Sequence, residues 1–450
     1  MLAVFAVRRF LPTGAAPGPE KTTEVDPRTG LIVPKFYDGP VRSDDSIFLM
    51  IASYRDFQCS ETVASALSRA DHPERVFVAV VQQNSEGDEP CEAPNVFAMD
   101  AADATGPVYA RHIGSRMYRG EAFAMQVDAH VQFARGWDSS LVDEWLSAGN
   151  EMAVLSTYLT DVQHSIDANG HSLRKTRPIM CNSDYEGRPP ARYLRHGAQP
   201  EEEPVVEGEP MMQPFWAAGF SFGRGHFLQR VPYDCCLPMV FMGEEISIGI
   251  RGWTHGYDFY TPEKSVVFHE YAQKSARRHK VHLFFEQQQQ QHDTAAESLK
   301  RLTALIGMAP DVRDYDATDA QKYGLGTKRR VEDFYRLFLV NTLDRKAQPL
   351  CKFVKTGVMH RAFSRWRLPD GSVDYSRLAD FDTAAAIKTE LDTNWRPRAL
   401  NALQKALDHN ERAWLENALD IAKRAELPED TDLLQMAKTA LHNILKTRNN

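Results

Sequence analysis

Ile47-Phe48-Leu49-Met50-Ile51-Ala52-Ser53-Tyr54-Arg55-Asp56 opens with six apolar residues in a row and closes on a polar turn. A short unbroken apolar run is the pattern of a strand covered on both faces, whereas a half-solvated strand alternates. Downstream, Val63, Ala66, Leu67 and Ala70 recur at three- and four-residue spacing and predict a helix. Arg75-Val76-Phe77-Val78-Ala79-Val80-Val81 predicts a second buried strand. Strand, helix and strand in so short a span define a parallel α/β unit. Ligands of such sheets sit outside the carboxyl ends of the strands, so residues 53–56 mark the expected binding edge.

The rest of the chain sets limits around that unit. Its 450 residues suit one large elaborated domain or two to three smaller ones, and 43% hydrophobic residues are ample for a core. A net charge of −8 argues against wholesale nucleic-acid binding, which needs a basic face. No apolar run approaches the ~20 residues that span a bilayer, and the apolar stretch before Arg8-Arg9 is too short for a secretory signal. The six cysteines (Cys59, Cys91, Cys181, Cys235, Cys236, Cys351) show no Cys-x-x-Cys pair, so reduced thiols in a cytoplasmic protein are expected. Residues 1–44 are rich in Pro, Gly and charge and predict a mobile arm. Residues 45–330 form the expected main α/β domain, and 331–450 a mainly helical accessory region. Within the latter, Leu403, Ala406, Leu407, then Trp414, Ala418, Ile421, Ala422, then Leu434, Ala437, Leu441, Ile444 trace three helices. Residues 183–214 predict a long surface loop, and Glu286 through His292, with five consecutive glutamines next to the basic Arg277-Arg278-His279-Lys280, a solvated low-complexity helix face.

Chemistry concentrates in Gly120-Glu121-Ala122-Phe123-Ala124-Met125-Gln126-Val127-Asp128-Ala129-His130. Apolar residues lead into an Asp-x-His where a strand should end. Residues i and i+2 of an extended segment share a face, so Asp128 and His130 would project together. A carboxylate oxygen with an imidazole nitrogen suits a divalent ion such as Mn²⁺. His269, in Val266-Val267-Phe268-His269-Glu270, ends another apolar strand and is the expected third ligand. His255 is the rival, placed lower because it falls at the carboxyl end of a predicted helix, where His is a favourable cap. Pro214-Phe215-Trp216-Ala217-Ala218-Gly219-Phe220 sets small residues among aromatics, as where backbone approaches a ligand closely. Gly243-Glu244-Glu245 starts a helix with adjacent carboxylates, which ordinarily complement the dipole.

Taken in order, Ile51-Ala52-Ser53-Tyr54-Arg55-Asp56, Gly106-Pro107-Val108-Tyr109-Ala110-Arg111, Gln126-Val127-Asp128-Ala129-His130, Phe241-Met242-Gly243-Glu244-Glu245 and Arg251-Gly252-Trp253-Thr254-His255-Gly256-Tyr257-Asp258 resemble the cytoplasmic hydroxyproline N-acetylglucosaminyltransferases, which modify a ubiquitin-ligase adaptor. More distantly the chain is similar to the polypeptide N-acetylgalactosaminyltransferases, although Ala217-Ala218-Gly219 stands where that family has Ala-Gly-Gly. The resemblance implies a GT-A fold with a C-terminal helical extension, a UDP-GlcNAc donor, a divalent metal and retention of anomeric configuration. It also implies residue roles. Asp128, His130 and His269 would hold Mn²⁺ on the diphosphate, while Arg111 would sit near the nucleotide. Ser53, Tyr54 and Arg55 would meet uracil and ribose, and Ala218, Gly219 and Glu244 would line the donor sugar.

Bond cleavage at the anomeric carbon leaves charge on the β-phosphate, which a bound cation would stabilise. Front-face attack, with the leaving phosphate accepting the hydroxyl proton, is the favoured route. Glu244 or Glu245 as covalent nucleophile is the alternative. The same motifs also fit another UDP-sugar, a Ser/Thr acceptor, or a metal-dependent hydrolase built on Asp128, His130 and His269. A homodimer through the helical tail is an expectation with no motif behind it.

Overall fold

The structure is a computed structural model that describes residues 23–187, 193–196, 201–272, 274–278, 284, 292–309 and 312–447. The 287–291 glutamine run and residues 1–22 of the expected arm lie outside the described residues.

The two runs read first become strands β3 (Ile47–Tyr54) and β4 (Val76–Asn84), joined by helix α1 (Cys59–Arg69). They pair in parallel, Ile47 opposite Val76 through Tyr54 opposite Gln83. Strand β5 (Asn95–Asp100) adds in parallel to β4, and helix α2 (Pro107–Ser115) leads to strand β6 (Phe123–Asp128), parallel to β3 on its other side. Beyond β6 come strand β7 (Val131–Phe133), helix α3 (Trp137–Ser147), and strands β8 (Ala153–Ser156), β9 (Thr160–Asp161), β10 (Met211–Met212) and β11 (Phe220–Arg224). Helix α4 (Glu244–Thr254) precedes strands β12 (Asp258–Thr261) and β13 (Val267–His269). Eight strands form one sheet in the order β10-β12-β8-β11-β6-β3-β4-β5. β11 runs antiparallel to both β6 and β8 and divides the parallel β6-β3-β4-β5 group from the rest. Leu49, Ile51, Val78 and Val80 have no exposure at all, so these strands are covered on both faces as their sequence required. The fold is the α/β class expected, with a helical C-terminal region.

A second sheet, β7-β13-β9, stands against the carboxyl edge of the first. In it His269 lies opposite Val131 on one side and Asp161 on the other. Two segments 139 residues apart in sequence (130 and 269) thereby meet, which no local pattern could show.

Several expectations need correction. Residues 23–44 are not a free arm. β1 (Thr23–Val25) and β2 (Ile32–Pro34) form a hairpin whose Val33 is fully buried against Val81, Tyr109 and Ile113. Asp26 accepts from the Tyr109 hydroxyl at 2.7 Å, and Arg116 donates to the Pro34 carbonyl. The segment 183–214 is not a bare loop either: Ser183–Glu186 pairs with Tyr193–His196, burying Tyr185 and Leu194. Residues 188–192 and 197–200 lie outside the described residues. Nor does position 331 open a separate core. Phe334, Leu337, Phe353, Met359, Phe363 and Leu378 pack into the main core, and the second core belongs to helices α5 (Arg396–His409), α6 (Arg412–Arg424) and α7 (Asp432–Thr447). Finally, the cysteines expected to be reduced are paired: Cys59 with Cys91, Cys181 with Cys351, and Cys235 with Cys236. The first two pairs span 32 and 170 residues, so spacing alone could not reveal them.

Candidate metal and donor site

The register that sets Ala52 opposite Asp128 brings the ends of β3 and β6 to one edge. At the end of β3 the backbone turns through Arg55, whose φ of 50° is the left-handed region that a non-glycine residue rarely enters. Arg55 donates its amide to the Gln83 carbonyl and its guanidinium to both Asp88 oxygens, at 2.7 and 3.1 Å. It is therefore held within the protein. Ser53 is buried, and the Tyr54 ring meets Phe284 edge-on at 5.7 Å.

Asp128, His130 and His269 converge, with a ligand atom from each within 4.8 Å of the others. The imidazoles of His130 and His269 are edge to face, 4.4 Å between centres, and His269 Nε2 lies 3.4 Å from Asp128 Oδ2. One carboxylate and two imidazoles match the donor set of a Mn²⁺-type ion. The buried Nδ1 of His269 has no hydrogen-bond partner, so the ring is not committed elsewhere. The residues present fit the cation that the sequence implied. Burial would raise the Asp128 carboxyl, but hydrogen bonding to His269 and the Arg111 charge outweigh it and hold it well below the usual range. His269 is lowered by burial and by the neighbouring His130, which favours its neutral, ligand-competent form. His255 caps the carboxyl end of α4 and is not part of this cluster.

Arg111 is a buried strut. One guanidinium nitrogen donates to Asp128 Oδ1 at 2.9 Å and another to Glu244 Oε2. Burial works against its charge, but Glu244 and Asp128 together raise its pKa further above the usual arginine range. It thus fixes the metal-side carboxylate to the first turn of α4. Gly243 opens that helix at φ 117°, a conformation that L side chains avoid, and a β-carbon there would also press Leu302 at 3.1 Å.

Glu245 faces the Ala-Ala-Gly segment: its Oε1 accepts from the Ala218 amide at 2.9 Å and its Oε2 from the Tyr158 hydroxyl at 2.6 Å. Burial lifts its pKa to about 7 against the help of those two bonds. Gln126 donates to the Ala218 carbonyl, so the peptide groups on both sides of Ala218 are fixed. A β-carbon on Gly219 would lie 3.4 Å from Asp128 Oδ2, an ordinary van der Waals contact.

Sequence reasoning missed three partners. Asp56, quoted as a turn residue, accepts from His130 Nδ1 at 2.8 Å. Arg278, read as part of a basic solvated run, is instead buried and paired with Asp56 at 3.1 Å. Tyr158 carried no motif. Only Asp56 had a usable signal, its place at the binding edge.

The α/β sheet thus carries a carboxylate–imidazole cluster at its carboxyl edge. The family model for "Glycosyltransferase (GlcNAc)" matches residues 46–101 and 95–343, and the chain belongs to that family. No curated protein matches it. Among solved structures, GalNAc-T7 with UDP, GalNAc and Mn²⁺ is similar at 13% identity and a TM-score of 0.43, over 68% of this chain. The present chain spans 58% of that one. Staphylococcus aureus TarS 1–349 in complex with UDP-GlcNAc is 11% identical, TM-score 0.35, over 89% of this chain and 92% of its own. The mannosyltransferase PcManGT from Pyrobaculum calidifontis, in complex with GDP-Man and Mn²⁺, is 11% identical, TM-score 0.33, over 90% of each chain. The ligands are those proteins' own.

Proposed function

We propose that this chain is a GT-A-type, metal-dependent glycosyltransferase that moves GlcNAc from UDP-GlcNAc to a protein hydroxyl, hydroxyproline of a ubiquitin-ligase adaptor being the acceptor, with retention at the anomeric carbon. The observation that carries the reading is the convergence of Asp128, His130 and His269 within 4.8 Å at the edge where β3 and β6 end. Membership of the glycosyltransferase family gives that cluster its chemical context.

A divalent cation bound there supplies Lewis-acid stabilisation of the leaving diphosphate. The protein's own groups do the rest. Asp128 and the two histidines would hold the cation, and the hydrogen bond to His269 together with the Arg111 charge keeps Asp128 ionised and aimed. Glu245 fixes the Ala218 peptide that lines the donor sugar, and Gly219 leaves space beside Asp128. The anomeric C–O bond to the β-phosphate breaks, the acceptor oxygen bonds to the same face, and its proton passes to the departing phosphate oxygen. Glu244 is bound to Arg111, which leaves it a charge-positioning role rather than that of a free nucleophile.

The cysteine pairs bear on where the acceptor is met. Disulfides persist in oxidising compartments and are rare in the cytosol. A cytoplasmic adaptor as acceptor therefore requires these pairs to be reduced in the cell, whereas a hydroxyprolyl protein of an oxidising compartment does not. No helix among the described residues is long and apolar enough to cross a membrane.

The test is UDP release from a panel of UDP-sugars with Mn²⁺ and with EDTA, then with a hydroxyprolyl peptide and its prolyl counterpart. Release from UDP-GlcNAc, lost with EDTA and accelerated only by the hydroxyprolyl peptide, is expected. A different preferred sugar would replace the donor assignment. Equal acceleration by both peptides would remove the hydroxyproline assignment.

A further inference from the structure

The turn that follows β3 carries a carboxylate with a specific set of partners. Asp56 Oδ2 lies 2.8 Å from His130 Nδ1 and 3.1 Å from Arg278 Nη2. Its Oδ1 accepts from the Gln58 amide at 3.0 Å and from Arg278 Nη1 at 3.2 Å. Arg278 also donates to the Gln58 side chain, whose amide nitrogen in turn donates to Glu270, the residue after His269. The side chains of Asp56 and Arg278 are only 7% and 5% exposed. A forked guanidinium against a carboxylate, closed by a backbone amide, leaves that carboxylate little freedom to rotate.

An ionised carboxylate can only accept, so the Asp56–His130 contact requires the proton of the neutral imidazole to sit on Nδ1. The lone pair is then on Nε2, the nitrogen that Asp56 does not touch. A hydrogen bond of this kind sets both the tautomer and the orientation of a ligating ring and raises its basicity. Without it, the His130 ring would be free to flip and to protonate either nitrogen.

We propose that Asp56 is a positioning residue for the cation site: it holds His130 as the Nδ1–H tautomer with Nε2 directed to the Asp128–His269 cluster, and Arg278 and the Gln58 amide hold Asp56. This inference rests on the metal-dependent reading above. It assigns a role to the residue that ends the first sequence motif, and it explains why a buried arginine from the segment after His269 reaches back to the turn after β3.

The experiment measures Mn²⁺ binding by electron paramagnetic resonance in the full chain, for the wild type, Asp128→Ala and Asp56→Asn. Far-ultraviolet circular dichroism confirms that each variant is folded. Asp128→Ala is expected to abolish site binding, and Asp56→Asn to weaken it about 10- to 100-fold, the usual cost of losing a partner of a ligating histidine. Wild-type affinity in Asp56→Asn, with binding lost in Asp128→Ala, overturns the role of Asp56 and leaves the metal site standing. Absence of Mn²⁺ binding in the wild type overturns both, so the two failures are distinct. Should Asp56→Asn not fold, ¹⁵N-histidine NMR of the wild-type chain decides without it, using His130→Gln to assign the resonance. An Nδ1–H signal for His130 at pH 8 is expected, and an Nε2–H tautomer overturns the proposal.

Discussion

The edge of the large sheet and the C-terminal helices are two ways of filling an interior. The three-helix bundle buries Ala399, Leu403, Ala406, Leu415, Ala418, Ala422, Ala425, Leu434 and Ala437, all small or aliphatic. Among the described residues it buries no polar or charged side chain. Around the sheet edge, by contrast, Arg111, Glu244, Asp56, Arg278, Asp234 and Arg301 are taken out of water as charge pairs. Buried ion pairs contribute little net stability, because desolvation offsets their attraction, and removing one partner strands the other. The bundle is built for folding alone, whereas the edge accepts electrostatic cost to hold specific atoms in place. Substitutions in the two regions should therefore move different observables.

The largest effect is expected at Asp128. Asp128→Ala removes a carboxylate from the cation cluster and should lower metal-dependent UDP release by more than ~100-fold, beyond the loss of an outer partner. Arg111 keeps its bond to Glu244, so the melting temperature should change little. Retained activity would break the contrast by making the edge structural. The converse change is Leu415→Ala, in a fully buried position of α6. Leu-to-Ala cavities cost about 2–5 kcal/mol. Hydrogen exchange should speed up throughout 396–447 while UDP release stays at the wild-type rate. A fall in UDP release would tie the bundle to catalysis. Smaller again is Glu244→Gln, which weakens one partner of Arg111. Transfer should fall about 10-fold, a change of about 1.4 kcal/mol, with less than about 2-fold change in the Kd for UDP. Equal losses in both would make Glu244 part of the nucleotide pocket rather than a support for the reacting end.

The same contrast explains what could be read without coordinates. The bundle's core positions, Leu403, Ala406, Ala418, Ala422, Leu434 and Ala437, are visible as a 3.6-residue period because a helix writes its buried face locally. The strands 47–54 and 76–84 are equally legible, as unbroken apolar runs. Asp128 and His130 are two residues apart and announce themselves together. His269 became a ligand candidate only through chemistry, since its pairing opposite Val131 is a tertiary event. Arg278 was read as a surface cation because its neighbours in sequence are basic, yet its partners Asp56 and Gln58 lie 222 and 220 residues away. Hairpin β1–β2 was read as an arm because single apolar residues such as Val33 carry no periodicity, although one of them is enough to anchor it. What sequence misses here is consistently long-range polar pairing.

The smallest effect tests whether the edge stores charge in a protonation state. Glu245 is raised from 4.5 to about 7 by burial, against the bonds from Tyr158 and the Ala218 amide. The folded chain thus holds a proton that the unfolded chain releases near 4.5. Stability from this group is complete below about pH 4.5 and is lost as the pH rises toward 7. Glu245→Gln mimics the protonated acid: its side-chain oxygen can accept from the Ala218 amide and its nitrogen can donate to the Tyr158 oxygen. The variant should melt close to wild type at pH 5 and gain on it by a few degrees at pH 8. Glu144, also raised to about 7 and bonded to the Glu263 and Lys264 amides, titrates identically in both proteins and cancels from the difference. A melting difference independent of pH would mean that Glu245 is ionised at neutral pH, and that the carboxylate holding the Ala218 peptide carries a full charge beside Arg111 and Glu244.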